Sequence, residues 1–152
     1  MTILTAVGEE LHSNGTISVG YDLATTYDEQ LVVLHVIPKE DFNKHKAAVK
    51  GTPAYNNFAI GREEQSGAEI AYRAVHESLD DYDPDRVETR GRVGNPAEKI
   101  LAEVEQSDPR YLVIGGKRRS PVGKAIFGST AQSVLMNASC PVVSMVSGGG
   151  KG

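Results

Sequence analysis

The chain has 152 residues, 39% hydrophobic and 24% charged, with a formal net charge of −4. That length makes one domain with enough chain to bury its own core, and the composition is globular rather than disordered. The acidic balance speaks against a general nucleic-acid binder, the lone Cys140 excludes an intrachain disulfide, and no segment reaches the length of a membrane span, so a cytoplasmic protein with neither nucleic-acid nor membrane partners is expected.

ILTAVG (3–8) is a short apolar run ending in glycine, without the basic lead of a signal peptide. GTISVGYDLATTY (15–27) follows, with Ile17, Gly20, Tyr21 and Ala24 at helical spacing. LVVLHVI (31–37) is apolar without alternation and stops at Pro38, which suits a strand covered on both faces. His35 inside it reads as a hydrogen-bonded structural histidine. Residues 38–60 read as an irregular excursion. Residues 63–79 form a helix with Ile70, Ala71, Ala74, Val75 and Leu79 on one stripe.

DYDPD marks a turn, and RVETRGRVG (86–94) reads as a strand. In GNPAEKILAEVEQSD the proline falls at the first helical turn, with Ile100, Leu101 and Val104 as the apolar edge. YLVIGG (111–116) is another buried strand, GSTAQSVLMNAS (128–139) a helix, and CPVVSMV (140–146) a last strand. The domain spans 1–147 and the glycine-rich residues 148–152 are a tail. Short buried strands alternating with helices imply a single-domain α/β fold: an open five-stranded parallel sheet with helices on both faces. In such sheets ligands bind beyond the carboxyl ends of the strands, where the strand order reverses.

GGKRRSPVGKAIFGST (115–130) lies at one such end. It is not a Walker A loop: six residues separate Gly116 from Gly123, and Ala125 follows Lys124 where a magnesium-binding hydroxyl is needed. No dinucleotide fingerprint follows the first strand, no hydrolase elbow occurs, and the four histidines show no metal-binding spacing. No catalytic or metal-ligating set is therefore assigned. What remains is a strand ending in glycine, a basic loop with Lys117, Arg118, Arg119 and Lys124, and Gly128-Ser129-Thr130 at a helix start. Free backbone amides and the positive end of a helix dipole attract anions. Capping by Ser129 or Thr130 alone would stabilise the helix by about 1 kcal/mol.

From ILTAV through LVVLHVI, GNPAEKI and YLVIGG to FGSTAQSVL and CPVVSMV, the chain resembles the universal stress proteins, whose fold is Rossmann-like. The nucleotide-binding branch of that family carries G-x-x-G, nine residues, then G-[ST]. Here Gly115 and Gly128-Ser129 fit the pattern, while Arg118 stands at the second glycine. Gly8 stands where the family has an aspartate, and Glu9 and Glu10 follow it. The resemblance implies an adenosine pocket lined by Ala6, Val7, Val36, Ile114 and Gly115. It places phosphates at Gly128, Ser129 and Thr130, with Arg118 either clamping or obstructing them. It further implies an adenine nucleotide, ATP before any other, as ligand, with magnesium as an optional companion, a stress-sensing role with at most slow ATP hydrolysis, and a homodimer paired through the last strand. The alternative is a dimeric interaction module of the same fold that binds no nucleotide.

Overall fold

Strand runs that are apolar at every position need cover on both sides, and helices on each face of one sheet supply it. The computed structural model describes residues 1–8, 15–38, 53–119 and 125–147. In chain order the elements are β1 (Thr2–Val7), α1 (Thr16–Tyr27), β2 (Gln30–Pro38) and α2 (Pro53–Ser78). A 3-10 turn (Pro84–Arg86) precedes β3 (Val87–Gly94), α3 (Pro96–Ser107) and β4 (Tyr111–Arg119). β5 (Ala125–Phe127), α4 (Ser129–Asn137) and β6 (Val142–Ser147) complete the fold.

Five strands run parallel in the order β3-β2-β1-β4-β6, the architecture expected from the alternation of strands and helices. A sixth strand, β5, adds an antiparallel hairpin on the end of β4, pairing Lys117 with Phe127 and Arg119 with Ala125. Successive connections move outward from β1 through β2 to β3, then return to β4 on the other side of β1. The order therefore reverses between β1 and β4.

Alternate side chains divide between two cores. Ile3, Leu31, Val33 and Val113 meet Ile17 and Ala24 of α1 and Ala71 and Val75 of α2. Leu4, Ala6, Val32, Leu34, Val36, Leu112 and Ile114 meet Ile100 and Val104 of α3 and Ala131 and Val134 of α4. Burying one such aliphatic side chain contributes roughly 1.5–3 kcal/mol, so the two clusters dominate the stability of the fold.

Backbone approach fixes where α2 lies. A Cβ on Gly91 of β3 would stand 2.5 Å from the Ala68 amide nitrogen and closer still to the Glu64 carbonyl oxygen. Only glycine lets the helix rest on the edge strand at that depth. α2 also starts ten residues earlier than its stripe suggests. Pro53 occupies its first position, where a missing N–H is harmless, so residues 53–60 of the expected irregular excursion are helical, while 39–52 lie outside the described residues.

Local signals set the other helix ends. Asn95 caps α3, its side chain accepting from the Glu98 amide at 3.0 Å, and Pro96 follows at the first position. Asp28 and Asp108 end α1 and α3 in left-handed conformations, with φ of 53° and 45°. Arg86 sits beneath the end of α1, donating to the carbonyls of Ala24 (3.2 Å) and Glu29 (3.0 Å) and pairing with Asp28. Among the described residues no helix is long and apolar enough to cross a membrane.

Candidate functional site

β1 and β4 are neighbours, paired from Ile3–Tyr111 to Thr5–Val113, and the sheet order reverses between them. Both run toward the same end, so Val7 and Gly115 close the two sides of the crevice there. α1 follows β1, and α4 follows the hairpin strand β5, which returns antiparallel to meet Lys117 of β4; each helix begins without a side-chain cap. Gly15 precedes α1 with φ 91° and Gly128 precedes α4 with φ −68° and ψ 164°. Neither helix carries an acidic residue in its first turn to offset the positive end of its dipole.

Of the residues implied for an adenosine pocket, Ala6 (1% exposed), Val36 (6%) and Ile114 (0%) lie together on the face covered by α3 and α4, in contact with one cluster. They form an apolar floor whose side chains are already packed, so what they present at the strand ends is mainly backbone. Val7 turns to the opposite face, partly buried against the α1 and α2 core. Gly115 is buried, directly after the last regularly paired residue of β4, Ile114. Gly128 is half-buried, Ser129 exposed and Thr130 buried. The Gln132 amide bonds to the Gly128 carbonyl at 2.9 Å, the first rung of α4.

Arg118 is placed differently from a residue in an open loop. β4 does not stop at Gly115-Gly116: the ladder shifts register between Ile114 and Lys117 and then continues. Arg118 pairs with Ile126 of β5 and Ser147 of β6, so its backbone belongs to a strand. The glycine pair marks a bulge in a strand rather than its end. Glu9 and Glu10 lie outside the described residues, as do residues 120–124 of the basic segment.

Sequence reasoning treated His35 as structural without giving it a partner. Its Nδ1 lies 3.0 Å from the Val7 carbonyl oxygen. A carbonyl only accepts, so the proton of this contact sits on Nδ1. A Cβ on Gly8 would sit 3.7 Å from that Nδ1, in ordinary contact, so a side chain there would lie against the imidazole. His35 is the one polar side chain within LVVLHVI, and that interruption was the available signal.

The sequence also missed Glu103. This α3 carboxylate is 3% exposed and lies 3.1 Å from Arg90 Nη1 and 2.8 Å from Arg92 Nε. Arg90 also pairs with Glu88, and that contact, ahead of Glu103, raises the arginine's pKa further above its ordinary value. This cluster clamps α3 to the edge strand, away from the crevice. Among the described residues no three His, Cys, Asp or Glu side chains converge on a metal position.

At the crevice, then, an apolar floor, backbone groups at strand ends, two uncapped helix starts and the Ser129 hydroxyl come together. Uncapped helix starts and strand-end backbone of this kind offer hydrogen bonds to an anion.

The model of the universal stress protein family matches residues 1–144. A universal stress protein of Mycolicibacterium smegmatis is 41% identical over 59 residues, a stretch covering 38% of this chain and 45% of that protein. The match thus spans under half of the curated relative's length. Among solved structures, the universal stress protein UspA of Lactobacillus plantarum is 18% identical, with a TM-score of 0.62 over 95% of this chain and 97% of that one. The Archaeoglobus fulgidus universal stress protein in complex with dAMP is 17% identical, with a TM-score of 0.55 over 95% and 96%. An Arabidopsis thaliana family protein with AMP bound is 16% identical, with a TM-score of 0.55 over 97% and 92%. At these identities the structural likeness carries the fold.

Proposed function

The chain belongs to the universal stress protein family, and from that premise we propose that it binds an adenine nucleotide, ATP foremost, between the carboxyl ends of β1 and β4. The observation that carries this reading is the α4 start. Gly128, with no side chain to cap the helix, opens α4 beside the strand-order reversal, where an anion gains from the amides and the dipole. Relatives of the same fold with dAMP and AMP bound support the choice of base.

In this reading the floor of Ala6, Val36 and Ile114, with Val7 and Gly115 at its rim, receives the adenosine. Gly128, Ser129 and Thr130 hold the phosphates, and Arg118 clamps them from the hairpin. Magnesium would be carried by the phosphates, with hydroxyls of the first α4 turn as the chain's contribution, because the described crevice residues include no carboxylate. In the same reading the protein is a cytoplasmic stress sensor with at most slow ATP hydrolysis. It acts as a homodimer through β6. Among the described residues that strand pairs only with β4, and an unpaired edge of this kind is a template for a second copy.

Heat-denatured, purified protein should release adenine nucleotide on reversed-phase chromatography. Added ATP at about 100 times its Kd should stabilise the emptied protein by about 2.7 kcal/mol. Arg118 within a strand ladder favours a second reading, a nucleotide-free dimeric interaction module. Neither release nor stabilisation at millimolar ATP, with a native circular dichroism spectrum, selects that second reading.

A further inference from the structure

Away from the crevice, four aromatic rings form a continuous row across α1, the end of α2 and the turn that follows. Tyr72 meets His76 with centroids 4.4 Å apart at 73°, His76 meets Tyr82 at 5.9 Å and 70°, and Tyr82 meets Tyr21 at 6.3 Å and 81°. The row is held in place: the Tyr21 hydroxyl accepts from the Asp83 amide at 2.9 Å, and Ser18 donates to the Ser78 carbonyl. Yet it is not buried. Tyr72 is 54% exposed and His76 is exposed beside it. A tyrosine held in a fixed orientation with half its surface in water is a feature of recognition surfaces more than of folding cores.

Charge around the row is one-sided. Residues 69–85 carry Glu69, Glu77, Asp80, Asp81, Asp83 and Asp85 against Arg73 alone, a net −5, more than the whole chain's −4. All six carboxylate residues are exposed, and among the described residues none takes part in an ion pair. The neighbouring cation, Arg86, is already committed to Asp28 and to two carbonyls. Ring faces attract cations through their quadrupole, arginine above all because its planar guanidinium also stacks. These carboxylates, of which Asp83 also caps the Asp85 amide at 3.0 Å, add attraction of the same sign at the rim.

We propose that the Tyr21–Tyr82–His76–Tyr72 row is a docking surface for an arginine-bearing basic segment of another protein. The carboxylates draw the segment in and its guanidinium stacks on Tyr72.

The probe is a short synthetic peptide of alternating arginine and glycine, titrated into the full-length 15N-labelled protein. Amide shifts should concentrate at Tyr72, His76, Tyr82 and the 80–85 turn. Tyr72→Ala, at a surface position that leaves the core intact, should weaken binding about tenfold, the equivalent of one good cation–ring contact. Asp80→Asn with Asp81→Asn should weaken it and reduce its salt dependence. A matching lysine peptide should bind more weakly than the arginine one. No shift, shifts spread evenly over all acidic surfaces, or equal binding by Tyr72→Ala overturns the proposal. Concentration-dependent shifts at the same amides without peptide would assign the surface to a second copy of the chain and likewise overturn it.

Discussion

Glu103 Oε1 lies 2.8 Å from Arg92 Nε, while its other oxygen lies 3.1 Å from Arg90 Nη1, so one buried carboxylate bridges two arginines of the edge strand. The arginine side chains keep about a third of their surface in water, at 30% and 34%, which reduces their desolvation cost. Glu103→Gln keeps the volume and removes the charge, leaving two guanidinium groups facing a neutral amide. Urea unfolding should show a loss of about 2 kcal/mol, in the range for charge-assisted hydrogen bonds. A change under about 0.5 kcal/mol would mean that desolvation cancels the attraction at this site.

Two glycines in contact with or within α2 should respond in opposite directions to alanine. Gly91→Ala drives a methyl group into the Glu64 carbonyl, a backbone atom that moves only if the helix lifts off β3. It should destabilise by about 3 kcal/mol or more, or abolish folding. Gly61 lies inside α2 with nothing within 4 Å of its would-be Cβ. Gly61→Ala should therefore stabilise by about 0.5–1 kcal/mol through helix propensity alone. Melting temperatures of the two variants that move in the same direction would refute this account of α2.

The order of strands and helices was legible because burial on both faces leaves an unmistakable pattern: LVVLHVI and YLVIGG have no polar alternation, and β2 and the start of β4 are central strands. The position of the crevice followed from that order. The early start of α2 was not legible, because Pro53 and the asparagines near it fell within a stretch, 38–60, that reads as an irregular excursion, although proline at a first helical position is a start signal. The extension of β4 was hidden by Gly115-Gly116, since a glycine pair looks alike in a loop and in a bulge. Glu103 was passed over because glutamate in a helix is ordinarily a solvated face. Its spacing from Ile100, on the buried stripe of α3, and the alternation of Arg90 and Arg92 across from it were the signals available.

Cys140 is half-buried, and that burial pushes its thiol above the ordinary range. An acid whose neutral form is favoured by burial keeps its proton to higher pH, so the thiolate fraction at any given pH is smaller in the folded chain. Alkylation by iodoacetamide at pH 8 should be at least about threefold slower for the native protein than for the urea-unfolded chain. The midpoint of the pH–rate curve should also lie higher in the native protein. Equal rates and midpoints would show that the sulfur is fully accessible and unperturbed.

Gly128 offers a way to separate helix stability from anion binding. Its φ of −68° and ψ of 164° suit any residue, so no strain attends a side chain there. Aspartate at this cap position can accept from an amide of the first turn and should stabilise α4 by about 1 kcal/mol. For a domain of this size that raises Tm by roughly 2–4 °C. The same carboxylate occupies the place proposed for a phosphate and repels it at close range, so Gly128→Asp should lower affinity for ATP by about tenfold or more, the equivalent of at least 1.4 kcal/mol. The two effects run in opposite directions, and a general loss of structure produces neither. Isothermal titration beside a thermal melt reads both. A higher Tm with undiminished ATP affinity would remove the α4 start from the binding site and leave the nucleotide, if it binds, held elsewhere.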